Sequence, residues 1–224
     1  MNKLFQKLDK TVLGHKLLQD PLFRLLVTAN MKMGWNALYS IFYGIMGLVY
    51  RSFWFVSMFA YYAVLSVMWF IVVSSKDKNK IKSLSKMMKM IGIGMVFLAI
   101  VVSGIVCMGI AEKRNPHYNI VIMIAIAAYT FFIVIQAIIN TVKAHKKKDL
   151  TVIMLRNISL ASAIQSMHSL ERSMLGTFGD ADDRFSMIMM AISGAVAFLL
   201  VAAIGVLMII KAGRNSNFSE LKQQ

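Results

Sequence analysis

The sequence predicts an all-α fold: a polytopic transmembrane helix bundle with six spans, arranged as three antiparallel hairpins and preceded by an N-terminal amphipathic helix. Three observations predict it. The 224 residues are 58 % hydrophobic and only 16 % charged, whereas a soluble domain averages about 45–50 % apolar and about 25 % charged. Apolar stretches near the length of about 20 residues that a helix needs to cross a hydrocarbon core of about 30 Å recur along the chain. The 25 Lys and Arg residues, against 10 Asp and Glu, lie mostly between those stretches, where basic residues set orientation in a bilayer.

The N-terminal segment, 1–32, is read as a cytoplasmic amphipathic element. Leu4, Leu8 and Val12 recur every four residues with lysines between them, which is the pattern of a helix with one apolar stripe. Six basic residues scattered among Leu and Phe leave no continuous apolar core, so no cleavable signal peptide is expected. Asp20-Pro21 reads as a stop and a new helical start.

The membrane domain, 33–211, follows, with spans expected at about 33–50, 53–73, 90–111, 120–139, 150–170 and 185–210. Between the first two lies only Tyr50-Arg51-Ser52, which requires a tight antiparallel turn. Trp35, Trp54 and Trp69 stand near span ends, as interface aromatics do. Asn115-Pro116 marks the turn between the third and fourth spans. The fifth stretch is the polar one, carrying Arg156, Asn157, several serines, Gln165 and His168. An arginine at a helix centre costs about 2.5–3.5 kcal/mol on an insertion scale, but Arg156 is near an end and can snorkel outward. Charge placement argues that this segment crosses. With six crossings, 19 basic residues fall on one side and five on the other, so both termini and the tail, 212–224, are expected in the cytoplasm.

No phosphate-binding loop, dinucleotide-binding glycine turn, paired-cysteine motif or zincin motif is present in the sequence. No Asp or Glu lies within an expected span, which argues against a proton-coupled pump. The lone Cys107 reads as a packing thiol, and the 19 methionines as adaptable apolar filling. His15, His117, His145 and His168 are far apart and offer no shared metal site. The expectation is therefore a non-enzyme with no cofactor, no metal and no nucleic-acid partner. Its partners are the lipid bilayer and a membrane protein or a second copy of the chain.

One pattern stands out. Arg156, Ser159, Ser162, Ser166 and Ser169 follow spacings of 3, 3, 4 and 3, so they share a face of the fifth helix, flanked by Gln165 and His168. In lipid such a stripe faces protein or water. It reads either as the lining of a polar path or as small residues that let helices approach closely. Asn36 on the first span and Gln136 on the fourth are further candidates for the same path, and Ala191 and Ala195 form a small-residue face on the sixth that could receive the fifth. Two functions follow: small-solute transport or permeation through a polar path lined by the fifth span, or a non-enzymatic accessory or regulatory membrane subunit.

The stretch Tyr50-Arg51-Ser52-Phe53-Trp54-Phe55 followed by Tyr61-Tyr62, together with Ile158-Ser159-Leu160-Ala161-Ser162-Ala163 continuing to Ser166-Met167, resembles a family of uncharacterised six-helix membrane proteins of Gram-positive, clostridial-type bacteria. The resemblance implies a bacterial cell membrane and supplies no catalytic residues.

Overall fold

The computed structural model describes residues 21–51, 53–74, 81–112, 119–147, 149–178 and 184–221. They form six helices: α1 Pro21–Tyr50, α2 Phe53–Ser74, α3 Ile81–Glu112, α4 Ile120–Lys147, α5 Leu150–Phe178 and α6 Arg184–Leu221. No strand occurs among the described residues. The expected amphipathic pattern at Leu4, Leu8 and Val12 lies outside them. Five of the helices, all but α2, run well past the apolar spans read from the sequence, so that Lys86, Lys89 and Lys143 ride exposed on helical turns rather than in loops. Helix geometry favours this, since each added turn satisfies backbone groups that a loop would leave to water.

Five helices, α2 to α6, are long and apolar enough to cross a membrane, and α1 is not among them. The 33–50 stretch of α1 is diluted by Trp35, Asn36, Tyr39, Ser40, Tyr43 and Tyr50. It nevertheless lies along α2 through its length. Ser66 Oγ donates to Met33 O at 3.3 Å and Ser40 Oγ to Phe59 O at 3.4 Å. Nearer the tip, Gly44 abuts the Phe59 ring and Gly47 abuts Val56. The two helices are thus antiparallel around Arg51, whose φ of 47° places it in the left-handed region. That conformation suits a tight reversal of the chain, and it strains a side chain other than glycine. Tyr43 stacks on Tyr62 with ring centroids 5.5 Å apart, and Tyr39 stacks on the same ring at 5.2 Å, so aromatic contacts supplement the glycine approach.

The most extensive interface joins α3 and α6. Gly92 and Gly205 face each other's backbone: a Cβ at Gly92 would lie 2.8 Å from Gly205 O, and a Cβ at Gly205 the same distance from Gly92 O. Gly194 receives the Val106 side chain, and Ser85 donates a hydrogen bond to Ala212 O at the other end. Contacts therefore run antiparallel from Ser85 to Val106, roughly 31 Å of helix at 1.5 Å per residue, close to the thickness of a hydrocarbon core. Ser85, Gly92, Ala99 and Val106 recur at every seventh position, which keeps one narrow face on the partner. The Ala191 and Ala195 face proposed from sequence is exposed instead. The small residues that α6 uses are Gly194, Ala197 and Gly205, and the helix they meet most extensively is α3 rather than α5.

The pairing of neighbours also differs from three self-packed hairpins. α1–α2 and α5–α6 are packed pairs, but α3 and α4 make no contact among the described residues. α4 packs on α5 alone. The reason lies in the turn: only 148–149 separate α4 from α5, and Asp149 caps α5 by accepting from Thr151 N at 2.9 Å and Val152 N at 3.2 Å. Cys107 also departs from expectation, being exposed on α3 rather than packed. The methionines behave as filling, with Met68, Met88, Met95, Met154 and Met208 among the most deeply buried side chains.

Candidate functional site

α5 is the hub of the bundle, because it touches all five other helices. It is the least apolar of the five spanning helices and the most enclosed: half of its spanning residues are buried, against 17 % for α4. The two facts have one cause. A helix with many polar side chains is expelled from lipid contact and takes the position where protein surrounds it.

The buried face of α5 follows two period-seven rows, Thr151-Ile158-Gln165-Arg172 and Met154-Ala161-His168, every member of which is buried. Its first half is mainly apolar, with Met154, Ile158 and Ala161 in the core. Its second half is polar, with Gln165, His168 and Arg172 in line. The residues that stand out by serine spacing form the adjoining face. Arg156, Ser159, Ser162 and Ser166 are half-buried and Ser169 is exposed. Ser162 Oγ donates to Ile158 O at 3.1 Å and Ser166 Oγ to Ser162 O at 2.9 Å, so both hydroxyls are turned onto their own helix. Ser162 also meets the buried Tyr61 hydroxyl of α2.

At the first end of α5, where α1 and α2 approach, Lys32 Nζ donates to Ser159 Oγ at 3.3 Å and lies 5.3 Å from the centre of the Trp69 ring. Asn36 Nδ2 donates to Lys32 O at 2.7 Å, which puts Asn36 one turn from this group. On the opposite flank Thr141 Oγ1 of α4 donates to Ala137 O at 2.7 Å and reaches Arg156 O at 3.4 Å. Lys32 precedes the first expected span. Desolvation of its ammonium by the neighbouring helices, and secondarily the charge of Arg156, hold it below the ordinary lysine range, although the residue as a whole keeps a solvent-exposed surface.

At the other end, His168 Nδ1 lies 2.9 Å from Ser193 Oγ of α6, and Ser193 Oγ donates to Met190 O at 3.3 Å. The tautomer that satisfies both contacts carries the proton on Nδ1, with His168 donating to the serine. The contact ties the polar half of α5 to α6. The Arg172 guanidinium lies in a recess that only a glycine leaves: a Cβ at Gly109 of α3 would stand 3.1 Å from Arg172 Cζ. Gln165 Oε1 and Glu171 Oε1 are buried with no hydrogen-bond partner among the described residues. Among the described residues no three His, Cys, Asp or Glu side chains gather as metal ligands.

Of the nine sequence candidates, the structure brings Asn36, Arg156 and Ser159 to one end of α5 and places Gln165 and His168 in its polar core. Ser162 and Ser166 lie between these groups. Gln136 stands apart, exposed on α4. Lys32, Asn157, Arg172, Ser173 and Ser193 were not among them. The period-seven continuation of Ile158 into Gln165 and Arg172 was the available signal for Arg172.

Comparison with known proteins finds no match: no family model, no curated protein and no solved structure aligns with the chain. What can be said of its role rests on its own residues. Several apolar helices make it a multi-pass membrane protein.

Proposed function

We propose that the chain is a six-span protein of a bacterial cell membrane, with both termini cytoplasmic, that passes a small polar solute along α5. The sixth crossing is α1: it lies antiparallel against α2 from Met33 to Gly47, so a depth that admits one admits the other. Six crossings leave the lysine-rich links on one face, in keeping with the positive-inside bias. The resemblance of the Tyr50–Phe55 and Ile158–Ala163 stretches to clostridial-type six-helix proteins supports a bacterial setting.

One observation carries the permeation reading. Gln165 Oε1 and Glu171 Oε1 are buried acceptors in the hub helix with no partner among the described residues. Leaving such a group unsatisfied costs about 1–3 kcal/mol. Membrane proteins keep polar groups at that depth chiefly where water or a solute reaches them. The chemistry these two groups offer is hydrogen-bond acceptance, which suits a carrier or conduit for a solute that donates hydrogen bonds.

Flux of a panel of small polar solutes into proteoliposomes tests this. Wild-type flux above empty vesicles, abolished by Gln165→Leu, supports it; flux equal to empty vesicles for the whole panel refutes it. Orientation is tested by impermeant maleimide labelling of Lys78→Cys and Asn115→Cys in a Cys107→Ser background. The first site is expected to react only from the cytoplasmic side.

A second reading, a non-enzymatic accessory subunit, is favoured by a different observation: Ser162 and Ser166 bond to their own helix and Gln136 is exposed on the peripheral α4. Co-purification of a second membrane protein that is lost on Gln136→Leu would favour this reading over permeation.

A further inference from the structure

The geometry points to a binding site for a phosphate-bearing anion at the first end of α5, formed by Lys32, Arg156 and Ser159 against Trp69. Three helices supply it. Lys32 comes from α1, Trp69 from α2, and Arg156 and Ser159 from α5. The Lys32 ammonium is held 3.3 Å from Ser159 Oγ and 5.3 Å from the Trp69 ring centre. Arg156 precedes Ser159 by three residues, which puts the two side chains side by side on one helix face. An ammonium held on Ser159 is therefore near enough to Arg156 for the two charges to act on each other.

Two positive charges gathered this way repel each other. An anion between them turns the cost into attraction. The donor set indicates which anion. A guanidinium offers a planar fork of N–H groups, an ammonium offers a compact point charge, and Ser159, accepting from Lys32, keeps its own O–H to donate. Together they match the several oxygens of a tetrahedral phosphate better than the two of a carboxylate. Trp69, almost wholly buried, closes one wall and holds the lysine over its face.

Depth agrees with this chemistry. Trp69 stands five residues before Ser74, where α2 ends, or about 7–8 Å along the axis. Lys86 and Lys89 near the start of α3, and Lys143 near the end of α4, project at the same end of the bundle. That is the level at which the phosphates of anionic phospholipids lie, and a soluble phosphate reaches it from the water beyond. The site uses none of the outer-half residues on which the permeation reading rests, so either can fail alone.

The test uses the full chain in a maltoside detergent, in a Trp35→Phe/Trp54→Phe background so that Trp69 alone emits. Phosphatidylglycerol, phosphatidylcholine and inorganic phosphate are titrated separately. A saturable emission change with phosphatidylglycerol or with phosphate is expected, about tenfold weaker in Lys32→Gln and in Arg156→Gln and within about threefold of wild type in Lys32→Arg. A response to phosphatidylglycerol alone identifies a lipid headgroup; an equal response to inorganic phosphate identifies a soluble ligand. Ser159→Ala keeps both charges and is expected to weaken binding about threefold, which preserves the test if a Gln variant does not fold. No saturable response, equal responses to phosphatidylglycerol and phosphatidylcholine without one to phosphate, or folded variants that all bind like wild type would overturn the site.

Discussion

Replacing Gly92 by alanine tests whether α3 and α6 are held by backbone-to-backbone approach. The added methyl would stand 2.7 Å from Ile209 Cγ1 and 2.8 Å from Gly205 O. The isoleucine atom is a branch carbon held in one rotamer on a helix and the carbonyl belongs to the helix itself, so relief requires the two axes to part by roughly 0.5 Å, at the usual overpacking cost of about 1–3 kcal/mol. Alanine also raises helix propensity over glycine by about 1 kcal/mol. The net expectation is a loss of about 0–2 kcal/mol, centred on about 1 kcal/mol. Gly104, on the same helix, has open space where its Cβ would go, so Gly104→Ala receives the propensity gain without the clash. The two variants are expected to differ by about 2 kcal/mol in opposite directions from wild type. Unfolding in mixed micelles, followed by circular dichroism with increasing dodecyl sulfate, measures both. Gly205→Ala presses on the same gap, so the double variant should cost clearly less than the two singles added together. A Gly92→Ala protein as stable as Gly104→Ala would refute the claim that these helices meet at their backbones.

Arg51→Gly removes the left-handed strain at the α1–α2 tip and should raise stability by about 1 kcal/mol in the same unfolding assay. Ser193→Ala deprives His168 Nδ1 of its partner and should lower stability by about 1 kcal/mol; His168→Phe added to it should recover part of the loss, because no buried donor is then left unpaired. Tyr43→Leu removes the ring that stacks on Tyr62 and should lower the melting temperature, by an amount corresponding to about 1 kcal/mol.

The helical class and the starts of the helices after α1 were legible because apolar length and turn chemistry are local signals. α2 to α6 begin within one residue of the expected spans at Phe53, Ile120, Leu150 and Arg184, and only α3, at Ile81, starts a full two turns early. What the sequence did not show was which helix would sit against which. Consecutive order suggested that α3 would pair with α4, but the glycines of α3 fit those of α6, and a two-residue turn ties α4 to α5. Pairing of that kind depends on shape at a distance in sequence, and a lone glycine at Gly92 or Gly205 does not announce its partner. The polar helix was visible, and Gln165 and His168 were legible beside its serine face, but the continuation of the buried row to Arg172 was not. Serine spacing drew attention to Ser159, Ser162 and Ser166, whose hydroxyls can close on their own backbone. Larger polar side chains cannot do so as readily, and it is Gln165, His168 and Arg172 that needed the interior.

The central position of α5 has a consequence for how the chain is made. Synthesis is vectorial, and this helix emerges fifth, after four of the five neighbours it will touch. Left alone in lipid it would be the least willing to stay of the five helices apolar enough to cross. By the time it leaves the ribosome, a groove of earlier helices can already receive it, and α6 seals that groove last.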